Sequence, residues 1–177
     1  QGRRGSSLSE SMALLNEFNS DRVYLQERMI NAFETLKNFD QVDKNKTGAI
    51  GFCFGGKCAL DLARSGEDIK GVVSFHGLYD APTASTGKQL KGTLKIDSSI
   101  LILHGYDDPM ATPKSMVELA DELNSKKAKW QIHAYGNVGH AFTNPEANQR
   151  ESGLFYDQYA DEHSWNEMKN FFSKLFL

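Results

Sequence analysis

Short apolar runs alternate along the chain with longer segments whose apolar residues recur at helical spacing. The short runs predict four strands, at 49–52, 71–76, 99–104 and 130–135. The longer segments predict helices over 9–18, after 21, from 55, from 112 and from about 157. Strands that alternate with helices of this length indicate parallel β-α units, and hence an open sheet with helices on both faces.

Three of the predicted helices carry an apolar stripe that should face the core. The helix after Ser20-Asp21 has the stripe Leu25, Met29, Ala32, Phe33 and Leu36. The helix that starts at Thr112-Pro113, with proline at its first position, has the stripe Met116, Leu119, Ala120 and Leu123. The terminal helix has the stripe Trp165, Met168, Phe171, Phe172 and Leu175.

Polar and reactive side chains collect where the predicted strands end. Cys53 follows the first strand, Asp107 and Asp108 follow the third, and His140 lies in the loop after the fourth. In open parallel sheets the functional site lies beyond the carboxyl ends of the strands. These residues are therefore the first candidates for chemistry.

Cys53 stands in the run Gly51-Phe52-Cys53-Phe54-Gly55, which is the G-x-S-x-G nucleophile elbow with a thiol in place of the hydroxyl. Such a sharp turn strains the nucleophile's backbone, and glycine lets neighbouring backbone approach closely. The turn also places the sulfur over the N-terminus of the next helix, which favours a thiolate. A nucleophile is the preferred interpretation.

Two other interpretations compete with it. Cys53 could be a small buried apolar residue, which is the usual fate of a free cysteine. The segment from Gly51 to Gly56-Lys57 also approaches the phosphate-loop pattern, but it fails at Cys58, because a thiol cannot replace the hydroxyl that binds magnesium.

A thiol nucleophile needs a base and a group that orients the base, and the elbow fold supplies them in the order nucleophile, acid, histidine. Asp108 is the preferred acid, and Asp107 is assigned to the turn. Of five histidines, His140 alone lies after the acid in a loop that follows a strand. The others precede the acid, lie within the fourth strand or adjoin the terminal helix: His76, His104, His133 and His163.

Three motifs together resemble the dienelactone hydrolase family of α/β-hydrolases: Gly51–Gly56, His104–Pro109 and Gly139–Phe142. The resemblance runs over nearly the whole chain and implies one domain over 1–177, a three-layer α/β-hydrolase sandwich with a mostly parallel sheet. It implies a catalytic triad and one backbone oxyanion donor, formed by Cys53, His140, Asp108 and the N–H of Phe54.

The sequence departs from the family pattern in three ways. Family members have further strands ahead of the position of Gln1, and these supply a second oxyanion donor and an acidic residue that manages the thiol's proton. We therefore expect this chain to hold the C-terminal part of the fold and to need the N-terminal part of the same protein to complete the sheet. Without it, the strand ending at Phe52 would be an exposed edge.

The third departure concerns the substrate. The family's founding substrate is a small anionic lactone, held partly by an arginine four residues after the histidine, where this sequence has Asn144. Arg3 or Arg4 could supply charge at the rim of the site, although a solvated surface pair is the preferred interpretation.

Composition excludes several other classes of function. With 177 residues, of which 40% are hydrophobic and 24% charged, the chain is typical of one globular unit. A net charge of −3 gives no basic surface for nucleic acid or membrane, and no apolar run reaches transmembrane length. Two cysteines five positions apart favour a reducing, cytoplasmic compartment. No cluster has metal-ligand spacing, so no metal or organic cofactor is expected.

The expected function is hydrolysis of small esters, lactones or thioesters through a cysteine nucleophile and a thioacyl intermediate. The alternative is a non-catalytic thiol redox sensor or small-molecule binding protein on the same fold, with Cys53 as its oxidation site.

Overall fold

The structure, a computed structural model, describes residues 2–82, 90, 92 and 95–177. The predicted irregular segment 78–97 therefore lies partly outside the described residues. The elements in chain order are α1 (Leu8–Asn19), α2 (Arg22–Lys37), β1 (Gly48–Phe52), α3 (Phe54–Arg64), β2 (Gly71–Phe75), β3 (Ser99–Gly105), α4 (Pro113–Ser125), β4 (Lys129–Tyr135), β5 (Asn148–Gln149), a short 3-10 helix (Arg150–Ser152), β6 (Leu154–Phe155) and α5 (Gln158–Leu175).

The main sheet has four parallel strands in the order β1-β2-β3-β4, which confirms the predicted parallel β-α arrangement. The register aligns Phe52 with Phe75, Phe75 with Leu103 and Leu103 with His133, so all four strands end at the same edge. A second sheet, the antiparallel pair β5–β6, was not predicted. The segment from β5 to β6, Asn148–Phe155, is called the flap below.

Helices cover both faces of the sheet, as expected for a three-layer sandwich. Alternate strand residues face opposite layers: Val72 and Ile100 pack with α2, α3 and α4, whereas Val73 and Leu101 pack with α5. The first layer also buries Leu119 and Leu123 of α4, as the helical spacing predicts.

The buried face of α2 differs from the predicted apolar stripe. Ala32 and Leu36 are exposed, and Arg22 is buried instead. Its guanidinium donates three hydrogen bonds, of 2.7, 2.8 and 3.0 Å, to the carboxylate of Asp61 in α3, which is also buried. Arg64 also donates to Asp61, at 3.1 Å, so the three side chains form one buried network, and turning Arg22 out of it would forfeit its charge-assisted hydrogen bonds. The ion pair therefore decides how the helix is rotated.

The sheet edge formed by β1 is exposed among the described residues. Ile50 and Phe52 are 44% and 39% exposed, although both are apolar. Trp165, the first residue of the predicted stripe on α5, is also exposed, with its ring 6.3 Å from that of Phe75. The stripe on α5 is thus only partly buried, because the part of its face nearest β1 has no described layer over it.

Candidate active site

Cys53 lies at the sharp turn between β1 and α3 that the elbow motif predicts. Its backbone has φ 53° and ψ −119°, a region that residues with a side chain rarely adopt. The turn is held by the Cys53 N–H, which donates to the carbonyl of Phe75 at 3.0 Å, and by the N–H of Gly56, which donates to the Cys53 carbonyl. The strain is thus maintained by the neighbouring strand and by the helix that follows.

The glycines of the motif are not equally constrained. A Cβ at Gly51 would lie 1.9 Å from the carbonyl oxygen of Gly55, and a Cβ at Gly56 would lie 2.4 Å from the hydroxyl of Ser74. A Cβ at Gly55 itself would meet no described atom within 4 Å. Close approach of the backbone therefore requires glycine at 51 and 56, but not at 55.

The Cys53 thiol is partly buried at the N-terminus of α3. Burial raises the pKa of the thiol, but interaction with the His140 ring and the hydrogen bond from the Phe54 N–H together outweigh it, so that the pKa lies below 9.0. Cys58, five residues further along α3, has the opposite shift, because burial and the nearby Asp61 carboxylate raise its pKa to about 11. Of the two cysteines, Cys53 is the one whose surroundings favour the thiolate.

Asp108 and His140 are joined by a short hydrogen bond in the interior. His140 Nδ1 lies 2.7 Å from Asp108 Oδ2, and the two residues are 2% and 1% exposed. The other carboxylate oxygen, Oδ1, accepts hydrogen bonds from the N–H groups of Met110 and Ala111. Asp107 is exposed at the turn, where its N–H donates to the carbonyl of Val138. The structure thus brings Asp108, and not Asp107, to the histidine.

The surroundings of His140 favour the protonated, positively charged form of its ring. Burial lowers the pKa of its imidazole, but the hydrogen bond with Asp108 and the interaction with Cys53 raise it to about 9. With Nδ1 bonded to Asp108, Nε2 is the nitrogen left for the thiol. Nε2 is buried and has no hydrogen bond of ordinary geometry in the part of the chain that the structure describes. The Cys53 thiol and the His140 ring therefore shift each other's pKa although they do not form a well-aligned hydrogen bond.

The flap holds the backbone of His140. The His140 N–H donates to the carbonyl of Gly153 at 2.7 Å, and the N–H of Phe155 donates back to the His140 carbonyl at 3.1 Å. These bonds make His140 part of a short bridge to β6. The loop that carries the histidine is thereby fixed by an element that the sequence pattern did not reveal.

Three glycines pack backbone against backbone beneath the Asp108–His140 pair, and we call them the glycine stack. A Cβ at Gly105 would lie 2.3 Å from the carbonyl oxygen of Gly139, and a Cβ at Gly139 would lie 2.2 Å from that of Gly153. Gly153 has φ 72°, and a Cβ there would meet the ring of Pro109 at 2.8 Å. The glycine stack thus sets the distance between the end of β3 and the loop that carries His140. Because β3 leads to Asp108, this distance positions Asp108 relative to His140.

His76 also belongs to this site, and sequence reasoning missed it. Its ring centroid lies 5.0 Å from that of His140 in an edge-on arrangement, and its Nε2 lies 2.8 Å from the hydroxyl of Thr143. Chain order argued against His76 as the base, because it precedes the acid. Its place as the last residue of a predicted strand was the signal that could have put it at this edge of the sheet.

The other three histidines have different surroundings. His104 Nδ1 is hydrogen-bonded to the hydroxyl of Tyr79 at 2.9 Å in the interior. His133 is half-buried in β4, 3.9 Å from Glu167, and His163 is exposed on α5.

An open cleft of about 1160 Å³ lies beside Phe54, the residue after the candidate nucleophile. Its lining includes Arg3, Arg4 and Arg28. Arg3 forms an exposed ion pair with Glu17 at 2.8 Å, in line with the solvated surface pair expected of it. Asn144, at the position of the family's arginine, is exposed and caps its own turn by accepting from the N–H of Glu146.

The described residues hold neither a metal-ligating cluster nor a membrane-spanning helix. Among those residues, no group of three or more His, Cys, Asp or Glu side chains is arranged to hold a metal ion. Within the same ranges, no helix combines the length and apolar character needed to cross a membrane.

The chain is similar in sequence to known proteins over most of its length. The chain is 36% identical to the uncharacterized protein K02A2.1 of Caenorhabditis elegans over 154 residues, which are 86% of this chain and 94% of that protein. It is 26% identical to a Bradyrhizobium protein described as a probable 2-oxo-3-(5-oxofuran-2-ylidene)propanoate lactonase, over 90% of this chain and 62% of that protein. Across the bacterial relatives it matches, the chain spans between 47% and 63% of their length.

Among solved structures, the dienelactone hydrolase-like promiscuous phosphotriesterase P91 from metagenomic libraries superposes with a TM-score of 0.83 and 35% identity. The superposition covers 96% of this chain and 69% of P91. The family model of the dienelactone hydrolase family matches residues 3–176, almost the full length of the chain. The chain therefore belongs to the dienelactone hydrolase family and has the α/β-hydrolase fold of those enzymes.

Proposed function

We propose that this protein hydrolyses small carboxylic esters and lactones through a thioester formed on Cys53. The observation that carries the proposal is the buried 2.7 Å bond between Asp108 and His140, whose free Nε2 is left for a thiol on a strained elbow. The family match supports hydrolysis, and the lactonase among the relatives supports a cyclic ester as one substrate class.

In the first half of the reaction, Cys53 forms the acyl-enzyme. The thiolate attacks the carbonyl carbon of the ester, and the carbonyl π electrons move onto the oxygen, which the Phe54 N–H at the start of α3 stabilises. When the carbonyl re-forms, the carbon–oxygen bond to the alcohol breaks, and His140 Nε2 gives its proton to the leaving alkoxide. The products are a free alcohol and a thioester on Cys53.

In the second half, water releases the acid. Nε2 of His140, now neutral, takes a proton from water as the water oxygen attacks the thioester carbonyl. The tetrahedral intermediate then expels the Cys53 thiolate and releases the carboxylic acid, so the imidazolium–thiolate pair is restored. A lactone follows the same steps, except that alcohol and acid remain in one molecule. Asp108 holds the tautomer with hydrogen on Nδ1 throughout.

The pKa shifts of the site suit this cycle. The pKa of Cys53 is lowered below 9.0 and that of His140 is raised to about 9, so the site favours the charged form of each group more than water does. A thiolate with a lowered pKa is also a good leaving group, which helps the second half of the cycle. Because Asn144 is uncharged, we propose that a carboxylate on the substrate is not required.

The test is hydrolysis of p-nitrophenyl acetate and of the neutral lactone dihydrocoumarin by the wild type and by Cys53→Ala and His140→Ala. We expect each substitution to abolish turnover, and we expect the matched control Cys58→Ala to retain it, because the Cys58 thiol has a pKa of about 11. Undiminished turnover by Cys53→Ala would refute the assignment. The redox-sensor alternative instead requires oxidation of Cys53 by peroxide in a wild type without turnover on either substrate.

A further inference from the structure

His76 is a buried histidine that the proposed reaction does not use. It directly follows β2, is 4% exposed, and has φ 35°, so its backbone is held in a conformation that non-glycine residues rarely adopt. Its ring meets the rings of His140 and Phe142 edge-on, at 5.0 and 5.1 Å between centroids. Its Nε2 lies 2.8 Å from the hydroxyl of Thr143.

We propose that His76 is a positioning residue, which holds the loop 140–144 through Thr143 and fixes the tilt of the His140 ring toward Cys53. The proposal rests on the function proposed above, and it adds a residue and a contact that act on the base rather than on the substrate.

The geometry of His140 shows why a second support is needed. The Asp108 hydrogen bond fixes the ring at Nδ1, but a single bond at one atom leaves the ring free to tilt about that atom. Nε2 on the far side has no aligned hydrogen bond within the described residues. Among the described residues, the edge of the His76 ring is the ring contact that limits this tilt, and Phe142 supports His76 from another side.

The backbone after His140 points the same way. Ala141 has φ 61°, a strained value for a residue with a side chain, and it lies between His140 and Phe142. The flap holds the loop before this residue, through the carbonyl of Gly153, and the hydroxyl of Thr143 holds it afterwards, through His76. Backbone bonds from the N–H of Asn144 to the Ala141 carbonyl and from the N–H of Asp157 to the Phe142 carbonyl also hold the loop. Losing the Thr143 bond should therefore shift the imidazole without unfolding the segment.

His76 can serve this role because it remains neutral. Burial and the positive charge of His140 lower its pKa to about 3, against the opposing effect of Asp108. A neutral imidazole shares a hydrogen bond with a hydroxyl and packs against the His140 ring without repelling its charge. His140, whose pKa is about 9, remains the ring that is protonated at neutral pH.

The experiment uses substitutions that remove the bond but keep the shape. His76→Phe retains an aromatic ring without nitrogens, Thr143→Val replaces the hydroxyl by a methyl group, and Thr143→Ser retains the hydroxyl. We expect His76→Phe and Thr143→Val each to lower kcat for p-nitrophenyl acetate about 10- to 100-fold, with KM changed less than about threefold, because misplacement of a catalytic group by about 1 Å can cost that much. The double variant should be no worse than the poorer single variant, and Thr143→Ser should recover most of the activity.

A second readout does not depend on ester turnover. The pH dependence of Cys53 alkylation by iodoacetamide, followed by mass spectrometry, reports the thiolate that His140 stabilises. We expect the apparent pKa of Cys53 to rise in His76→Phe and Thr143→Val and to stay near the wild-type value in Thr143→Ser. The wild type could show a lowered apparent pKa of Cys53 and yet hydrolyse neither ester nor lactone. In that case the proposed function fails, while the change in the apparent pKa of Cys53 in the variants still tests the positioning role.

Tyr79→Phe is the matched control. It removes another buried hydroxyl-to-imidazole bond, that of Tyr79 with His104 at 2.9 Å. We expect it to lower thermal stability to a similar extent while leaving kcat and the alkylation profile unchanged. The positioning role is overturned if His76→Phe and Thr143→Val only lower the melting temperature, or if their effects on kcat multiply in the double variant.

Discussion

The two sides of the site are built differently. On the proposed acid–base side, Asp108 and His140 are almost completely buried and are held by the glycine stack, the flap and the His76–Thr143 bond. On the proposed nucleophile side, Cys53 is partly exposed, and the strand that leads to it carries exposed Ile50 and Phe52. Close packing is therefore concentrated around the hydrogen bond between Asp108 and His140.

The contrast has a physical reason. A carboxylate–imidazole bond is strongest and best oriented where water is excluded, because a low dielectric strengthens it and competing donors are absent. A nucleophile must instead be reached by its substrate, so it needs backbone strain and a helix N-terminus rather than complete burial. The following predictions probe this difference, beginning with the largest expected effect.

Asp108→Asn should lower kcat about 10,000-fold, because an amide at this position no longer holds the productive tautomer of the imidazole. The carboxylate accepts from His140, Met110 and Ala111, and the amide keeps its shape but not its charge. Hydrolysis of p-nitrophenyl acetate measures the effect. Asp107→Asn, one residue away in the exposed turn, is the control and should retain activity; equal losses in both variants would contradict the assignment of Asp108.

The two cysteines should differ in alkylation rate on the order of 100-fold or more at pH 7, because their pKa values lie below 9.0 and at about 11. The pH range in which Cys53 reacts fastest depends on the titration of Cys53 and of His140. The thiolate of Cys53 persists as pH falls to its lowered pKa, and the imidazolium of His140 persists as pH rises to about 9, so the ion pair occupies the window between them.

Iodoacetamide labelling with peptide mass spectrometry separates the two sites. His140→Ala should raise the pKa of Cys53 and so reduce the difference in alkylation rate between Cys53 and Cys58. Comparable labelling of Cys53 and Cys58 in the wild type would show that the nucleophile side does not activate its thiol.

Gly139→Ala should reduce kcat about 10- to 100-fold and lower the melting temperature, because its Cβ would lie 2.2 Å from the Gly153 carbonyl oxygen and would push His140 away from Asp108. Gly136→Ala, in the same loop, is the control, since a Cβ there meets no described atom within 4 Å. If Gly139→Ala retains full kcat, the glycine stack does not position the base.

Phe142→Ala should destabilise the protein by about 3–5 kcal/mol, because this residue is fully buried and its ring packs against those of His76 and Tyr135. Phe52→Ala should cost only about 1 kcal/mol, which corresponds to its stacking on Phe75 at 4.5 Å. Urea unfolding of both variants compares the free energies of unfolding. A similar loss at the two positions would erase the contrast between the tightly packed side and the open side.

Local sequence patterns determined much of this structure. Runs of apolar residues fixed the four strands, and cap residues fixed the helix starts at Asp21, Thr112 and Asp157, because these features depend on neighbours within a few positions. The rule that parallel strands end at one edge placed Asp108 and His140 together, and the structure joins them by a hydrogen bond. Their catalytic roles remain predictions of the proposed mechanism.

Only the tertiary structure decided the rest. The rotation of α2 follows the Arg22–Asp61 pair, whose members are 39 positions apart, and the Thr143 hydroxyl reaches His76 across 67 positions. No spacing rule along the chain encodes such contacts, because they form when separate elements pack. The sequence by itself determined which elements form and which reactive groups stand at their ends. The three-dimensional packing decided which charges pair, which histidines meet and which apolar side chains stay exposed, since burial and desolvation exist only once the layers are assembled.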